Sequence, residues 1–186
     1  MSAPAPSNDR GFSLIEVILV LALIAGMCGV FFGSFQALSA TFQGDSDMRV
    51  VEWQLKLARE TAINQRRSIE VKFTNPNLIT VTRDNLPNGQ TVISTIYLEH
   101  NAKFMQFAGQ PDTPDQFGNA SAVYFGTATT IMFTADGMLV DQTGNPINGT
   151  IFIGQAGRPG TSRALSVFGP TARIRSYRWN GTGWRP

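Results

Sequence analysis

The chain has 186 residues, 42% hydrophobic and 15% charged, which suits one globular domain with an appendage. Its net charge of +2 hides an asymmetry: nine Lys/Arg and all thirteen Asp/Glu fall up to Asp141, and six arginines without an acid follow. One cysteine (Cys28) and one histidine (His100) exclude an intrachain disulfide and leave too little for a Cys/His metal site or catalytic pair.

The first element is the apolar run that begins "RGFSLIEVILVLALIA" at Arg10. From Val17 to Gly44 there is no charged residue, a stretch of 28, and about 20 apolar residues span a bilayer. A cleaved secretory signal would be shorter and would end in a small-x-small site; Ser39-Ala40-Thr41 is a poor one. A plain signal anchor explains the length but leaves Glu16 unexplained. A carboxylate carried into hydrocarbon costs roughly 2.5–3.5 kcal/mol and calls for a partner or a task. Cleavage between Gly11 and Phe12 would create a positive amino terminus about one helical turn from Glu16. The same terminus on a neighbouring copy could pair with Glu16, offset its desolvation and set the register of adjacent helices. Within the run, Cys28 reads as a small buried hydrophobe. Gly26, Gly29 and Gly33 each cost roughly 1 kcal/mol of helix propensity, and their spacing suits close helix approach.

"GFSLIEVILVLALIAG" resembles the class III signal of type IV pilins and type II secretion pseudopilins: Gly, an apolar residue, three more residues, then Glu. The resemblance implies that a prepilin peptidase cuts after Gly11 and methylates the new amine on Phe12, with Glu16 as the assembly residue. The polar leader, residues 1–11, fits, although Arg10 is its one base and Asp9 stands beside it. Local melting near Gly33, in a segment where many pilins carry a proline, is a second role the resemblance implies for that glycine. The implied divisions are the leader 1–11, a transmembrane and assembly helix 12–44, its amphipathic continuation 45–67, and a head 68–186.

"SDMRVVEWQLKLARETAINQRR" (Ser46 to Arg67) reads as an amphipathic helix: Val51, Leu55, Ala58 and Ala62 trace one face. Glu52 and Lys56 stand four apart in the favourable order, and Arg49, Arg59 and Glu60 lie on the polar side. After Arg67 the period shifts to two. "SIEVKFT" alternates Ile69, Val71 and Phe73 with Glu70 and Lys72, as in a half-buried strand. Asn75 to Asn77 form a turn before a partner strand at Leu78 to Arg83, and Leu86 to Gly89 form another before Thr91 to Glu99. Gly109 to Ala122 reads as a loop. Strands are predicted at 130–134, 138–140, 150–154, 164–168 and 172–179. The expected fold is α+β: a long N-terminal helix packed on a mostly antiparallel β-sheet head of about 120 residues.

Three stretches narrow the resemblance to GspH/FimT-type minor pseudopilins. "LKLARETAINQRRSIEVKF" is similar to their helix end and first strand. "IMFTADGMLV" is similar to their Phe-x-x-x-Gly strand and turn, with Phe133 and Gly137 in place. "RALSVFGPTARIRSYR" is similar to their closing hairpin, with Gly169-Pro170 where a Gly-Arg step is common.

Two functions follow. As a minor pseudopilin, the protein would be a structural subunit of a type II secretion pseudopilus. It would work through helix packing and head contacts, anchored by a single pass in the bacterial inner membrane with its head in the periplasm. Its partners would be other pseudopilins or pilins, the prepilin peptidase and the inner-membrane assembly platform. As a FimT-like minor type IV pilin, it would bind DNA for uptake. Arg173, Arg175 and Arg178 would meet phosphates, with Tyr177 and Trp179 interleaved, and Arg158, Arg163 and Arg185 would extend the patch; Arg173 and Arg175 share a strand face. An enzyme is the poorest reading: His100, beside Glu99, reads as a satisfied surface histidine, and the glycines are scattered among turns with no phosphate-binding loop. No cofactor, metal or small-molecule substrate is expected.

Overall fold

The structure, a computed structural model, describes residues 13–85, 87–126, 128 and 130–186, and within the first helix not the side chains at 30, 32–34, 36 and 37. The leader, Gly11 and Phe12 lie outside the described residues, as does the side-chain environment expected to matter at Gly33. The chain divides into two compact units, Met1–Ser39 and Ala40–Pro186.

Helix α1 runs Leu14–Gln65. In the first unit its bulky apolar side chains are exposed, from Leu14 (77%) and Ile15 (73%) to Met27 (71%) and Phe31 (68%). Cys28 is exposed too, which corrects its reading as a buried hydrophobe: one helix alone has nothing to bury it against. At Gly26 and Gly29 an added Cβ would meet nothing within 4 Å, so this chain's own packing requires neither glycine. Among the described residues no helix is long and apolar enough to cross a membrane. The described side chains of the apolar run are continuous only over 13–29, short of the roughly 20 residues a span requires.

The second unit is the head. It begins at Ala40, ahead of Asp45, because the helix is already seated on the sheet at Gly44. A Cβ on Gly44 would lie 2.7 Å from the Thr161 carbonyl oxygen, so only glycine lets helix and strand approach this closely. Further along, Val51, Leu55, Ala58 and Ala62 are buried to 1% exposure or less. The helical stripe is thus the face that packs, and the Lys56–Glu52 ion pair forms at 2.6 Å on the outside.

Two antiparallel sheets complete the head. The first holds β1 (Ile69–Thr74), β2 (Leu78–Asp84), β3 (Gln90–Tyr97), β6 (Thr130–Phe133) and β7 (Leu139–Val140), in the order β3-β2-β1-β6-β7. In β1 the period-two pattern holds: Ile69, Val71 and Phe73 are buried and Lys72 is exposed. The second sheet holds β4 (Ala102–Phe104), β8 (Gly149–Gln155), β9 (Arg158–Phe168), β10 (Arg173–Trp179) and β11 (Trp184–Arg185), in the order β11-β10-β9-β8-β4, with β5 (Val123–Tyr124) also on β8. Helix residues Val51 to Ala62 and residues from both sheets share one core. A second, smaller cluster of Phe152, Ala164, Tyr177 and Trp184 lies apart from it. With apolar groups on both its faces, β8 is buried along its whole length.

The turn at Gly137 explains the Phe-x-x-x-Gly spacing. Phe133 is fully buried in the core. Gly137 adopts a left-handed φ of 77°, which glycine reaches without steric cost. Helix residue Ile63 would lie 2.8 Å from any added Cβ, and Arg59 donates from Nε to the Gly137 carbonyl at 3.1 Å. Arg59, read as part of the polar side, therefore ties the helix to the β6–β7 turn.

Candidate functional sites

Ser13 opens α1, its carbonyl accepting from the backbone N–H groups of Glu16 (3.0 Å) and Val17 (3.2 Å). Glu16 therefore sits in the first helical turn, where the helix dipole favours a negative charge. Its side chain is exposed among Val17, Val20 and Leu21. Glu16 is thus an acid among exposed apolar side chains at the start of α1.

The arginine-rich C-terminal strand is built differently from its sequence reading. Strand alternation divides its cations: Arg173 and Arg175 share one face of β10 with Tyr177, and Arg178 points to the other. Arg178 lies opposite Arg163 in the β9–β10 register. Arg163 is fully buried, which corrects its assignment to a surface patch. Its Nε donates to Asp45 Oδ1 at 2.6 Å. Nη1 donates to the carbonyls of Gly160 (3.0 Å) and Ser162 (2.8 Å), and Nη2 to the carbonyl of Thr41 at 2.9 Å. Arg178 Nη2 donates to the second Asp45 oxygen at 2.5 Å. Burial draws the Arg163 pKa down, Asp45 opposes that, and the Arg178 charge adds to the lowering. Arginine remains charged regardless, so an ion triad, Arg163–Asp45–Arg178, fastens α1 to β9 and β10.

On the other face Asp115 plays the matching part. It accepts from Arg175 Nη1 at 2.6 Å, from the Tyr177 hydroxyl at 2.8 Å and from the Ser166 hydroxyl. Burial alone would raise the Asp115 pKa, but the two hydroxyls and Arg175 outweigh it and the net shift is downward. Tyr177 is pushed up, first by burial and then by its bond to Asp115. Trp184 Nε1 donates to the Pro111 carbonyl at 2.9 Å. The predicted loop Gly109 to Ala122 is therefore a strap, held over the outer face of the second sheet by Asp115 and Pro111. Of the six C-terminal arginines, Arg163, Arg175 and Arg178 are ion-paired, whereas Arg173 and Arg185 have no ion pair or side-chain hydrogen bond among the described residues.

His100 lies in a turn beyond β3 with a left-handed φ of 52°. Its Nδ1 is 3.6 Å from Asp47 Oδ1. Asp47 projects from α1 with its side chain 2% exposed, and its other oxygen has no hydrogen-bond partner among the described residues. Burial raises the Asp47 pKa and His100 partly offsets this. Asp45, Asp47 and Asp115 are not exposed by sequence alone, because each lies far along the chain from the groups it meets. The one available signal was that Asp45 and Asp47 end the 28-residue uncharged run.

Residues 6–25 match the family described as the prokaryotic N-terminal methylation motif. No curated protein matches the chain. Among solved structures, the type IV minor pilin FimU of Pseudomonas aeruginosa is similar at a TM-score of 0.50 and 17% identity, over 76% of this chain and 91% of that one. The minor pseudopilin EpsH of the type 2 secretion system of Vibrio cholerae has a TM-score of 0.49 and 11% identity, over 73% and 97%. At 17% identity the likeness to FimU speaks for the fold alone, and the motif at residues 6–25 is a separate, sequence-level finding. The chain thus carries an N-terminal methylation motif at residues 6–25 and, as a separate finding, a long helix packed on antiparallel sheets, the fold it shares with FimU.

Proposed function

We propose that this chain is a GspH/FimT-like minor pseudopilin, a structural subunit of the pseudopilus of a type II protein secretion system. The observation that carries the assembly reading is the first unit of α1. It is a helix whose large apolar side chains are all exposed where described, with Glu16 in its first turn and a methylation motif across its start. Such a surface needs a cover, first lipid and then neighbouring helices. In this reading the peptidase cuts after Gly11 and methylates Phe12, and 12–44 holds the protein in the inner membrane with the head in the periplasm. Assembly then pairs Glu16 with the Phe12 amine of a neighbouring pilin or pseudopilin. The protein performs no catalytic step and needs no cofactor.

The arginine tail supports this reading over DNA uptake. A phosphate-binding patch needs free guanidinium groups on one face. Here Arg178 is engaged by Asp45 and Arg175 by Asp115, and Arg173 and Arg178 lie on opposite faces of β10. Co-expression with a prepilin peptidase tests the processing step: the mature protein should have a mass that begins at methylated Phe12. An intact precursor would contradict the reading.

A further inference from the structure

Beside the helix, at the edge of the second sheet, lies a cavity of about 520 Å³ that no step of assembly accounts for. Its cations are Lys103 on β4, Arg158 at the start of β9, and His100 when protonated; Gln43, Asn101 and Gln155 supply amides, and among the described residues no carboxylate lines it. The amides form a built floor. Gln155 Nε2 donates to Gln43 Oε1 at 3.1 Å, and Arg158 Nη1 donates to Gln155 Oε1 at 3.4 Å. The remaining donors of Arg158 stay available, and Lys103 has no side-chain partner among the described residues. Behind this wall, the buried Asp47 faces His100 Nδ1. Asp47 stands behind the imidazole and does not itself line the cavity.

We propose that this cavity is a docking site for an acidic peptide segment of a partner protein, whose carboxylates would meet Lys103, Arg158 and His100. Three features select that occupant. Lys103 and Arg158 have no carboxylate partner among the described residues, so their part of the lining asks for an anion. The volume exceeds what one phosphate or carboxylate fills and lies in the range of sites that enclose several groups. The amide side chains offer donors and acceptors together, as a peptide backbone requires. Duplex DNA displays its phosphates on a convex surface, which a concave pocket cannot track. The site stands on its own lining, so its test is independent of processing and of which filament recruits the protein.

The test is calorimetric titration of the full chain in neutral detergent with an acetylated peptide of alternating Glu and Gly. A matched Gln/Gly peptide, inorganic phosphate and a short DNA duplex run alongside. The acidic peptide should bind at low salt, and the Gln/Gly peptide should not. Lys103→Gln with Arg158→Gln should weaken binding at least about tenfold, and Lys103→Glu should abolish it. Both cations are exposed, so circular dichroism should be unchanged, and Arg173→Gln, at a different site, should leave affinity intact. The proposal fails if the acidic peptide does not bind, or if the Gln/Gly peptide binds equally. It also fails if the pocket variants have no more effect than Arg173→Gln. Phosphate binding as tight as the peptide would make this a free-anion site instead, and duplex binding lost in the pocket variants without peptide binding would assign it to nucleic acid.

Discussion

The Arg163–Asp45–Arg178 triad is most sharply tested by removing the acid. Arg163 is fully buried, while the side chain of Arg178 is 54% exposed. Asp45→Ala would therefore strand one guanidinium in the interior and release the other to water. Breaking a buried pair from one side costs about 3–5 kcal/mol. The low end applies, because the carbonyls of Thr41, Gly160 and Ser162 still accept from Arg163. Alanine's better helix propensity returns about 0.5 kcal/mol, leaving a net loss of about 2.5 kcal/mol. For a chain of this size that is roughly 5–10 °C in Tm. Arg178→Ala removes a half-exposed partner and should cost under about 1 kcal/mol. The assay is urea unfolding of the full chain in neutral detergent, followed by tryptophan fluorescence. Replacing both buried ions, Asp45→Leu with Arg163→Met, should recover part of the loss, since neither charge is then left unpaired. If Asp45→Ala cost no more than Arg178→Ala, the triad would not be the clamp described here.

Other consequences follow from the same geometry. The folded-state pKa of Asp115 lies below its ordinary value of 3.8. Its contribution is therefore complete above about pH 4 and lost as pH falls through the lower folded value. Asp115→Asn should flatten that acid limb of the stability profile, and Asp115→Ala should cost roughly 1–3 kcal/mol by leaving the buried Tyr177 hydroxyl unpaired. Limited proteolysis within 109–122 should then accelerate; an unchanged digestion rate would mean that Asp115 does not hold the strap. Gly44→Ala gives a test of sign. Helix propensity alone predicts a gain of about 1 kcal/mol, whereas a Cβ 2.7 Å from the Thr161 oxygen predicts a loss of about 1–3 kcal/mol from overpacking. Thermal unfolding decides which prevails.

The parts of the fold that were legible from sequence are those whose signal is local and periodic. Val51, Leu55, Ala58 and Ala62 repeat as one helical face and are the residues that pack. Ile69, Val71 and Phe73 alternate and are buried on one side of β1. Strands β5 and β11 have two residues each and β4 three, too short for any period to register. Phe133 and Gly137 were visible as a spacing, but that Arg59 and Ile63 press on the glycine is a tertiary fact. The partners of the tail arginines are hidden from sequence for the same reason. Asp45 lies 118 residues before Arg163, and Asp115 lies 60 before Arg175, so a window around the tail shows cations without acids. Where the chain has been folded, acids from the helix and the strap meet them. Glu16 was conspicuous from the outset, because a charge in an apolar run stands out without any knowledge of the fold.

If the exposed apolar helix assembles through Glu16, incorporation of Glu16→Ala into filaments measures it. The variant and the parent chain are expressed with the other filament subunits and the prepilin peptidase, and each is quantified in membranes and in sheared, purified filaments. Equal amounts are expected in membranes, with loss of the variant from filaments by at least about tenfold if Glu16 sets helix register. Equal incorporation of Glu16→Ala and the parent would contradict it.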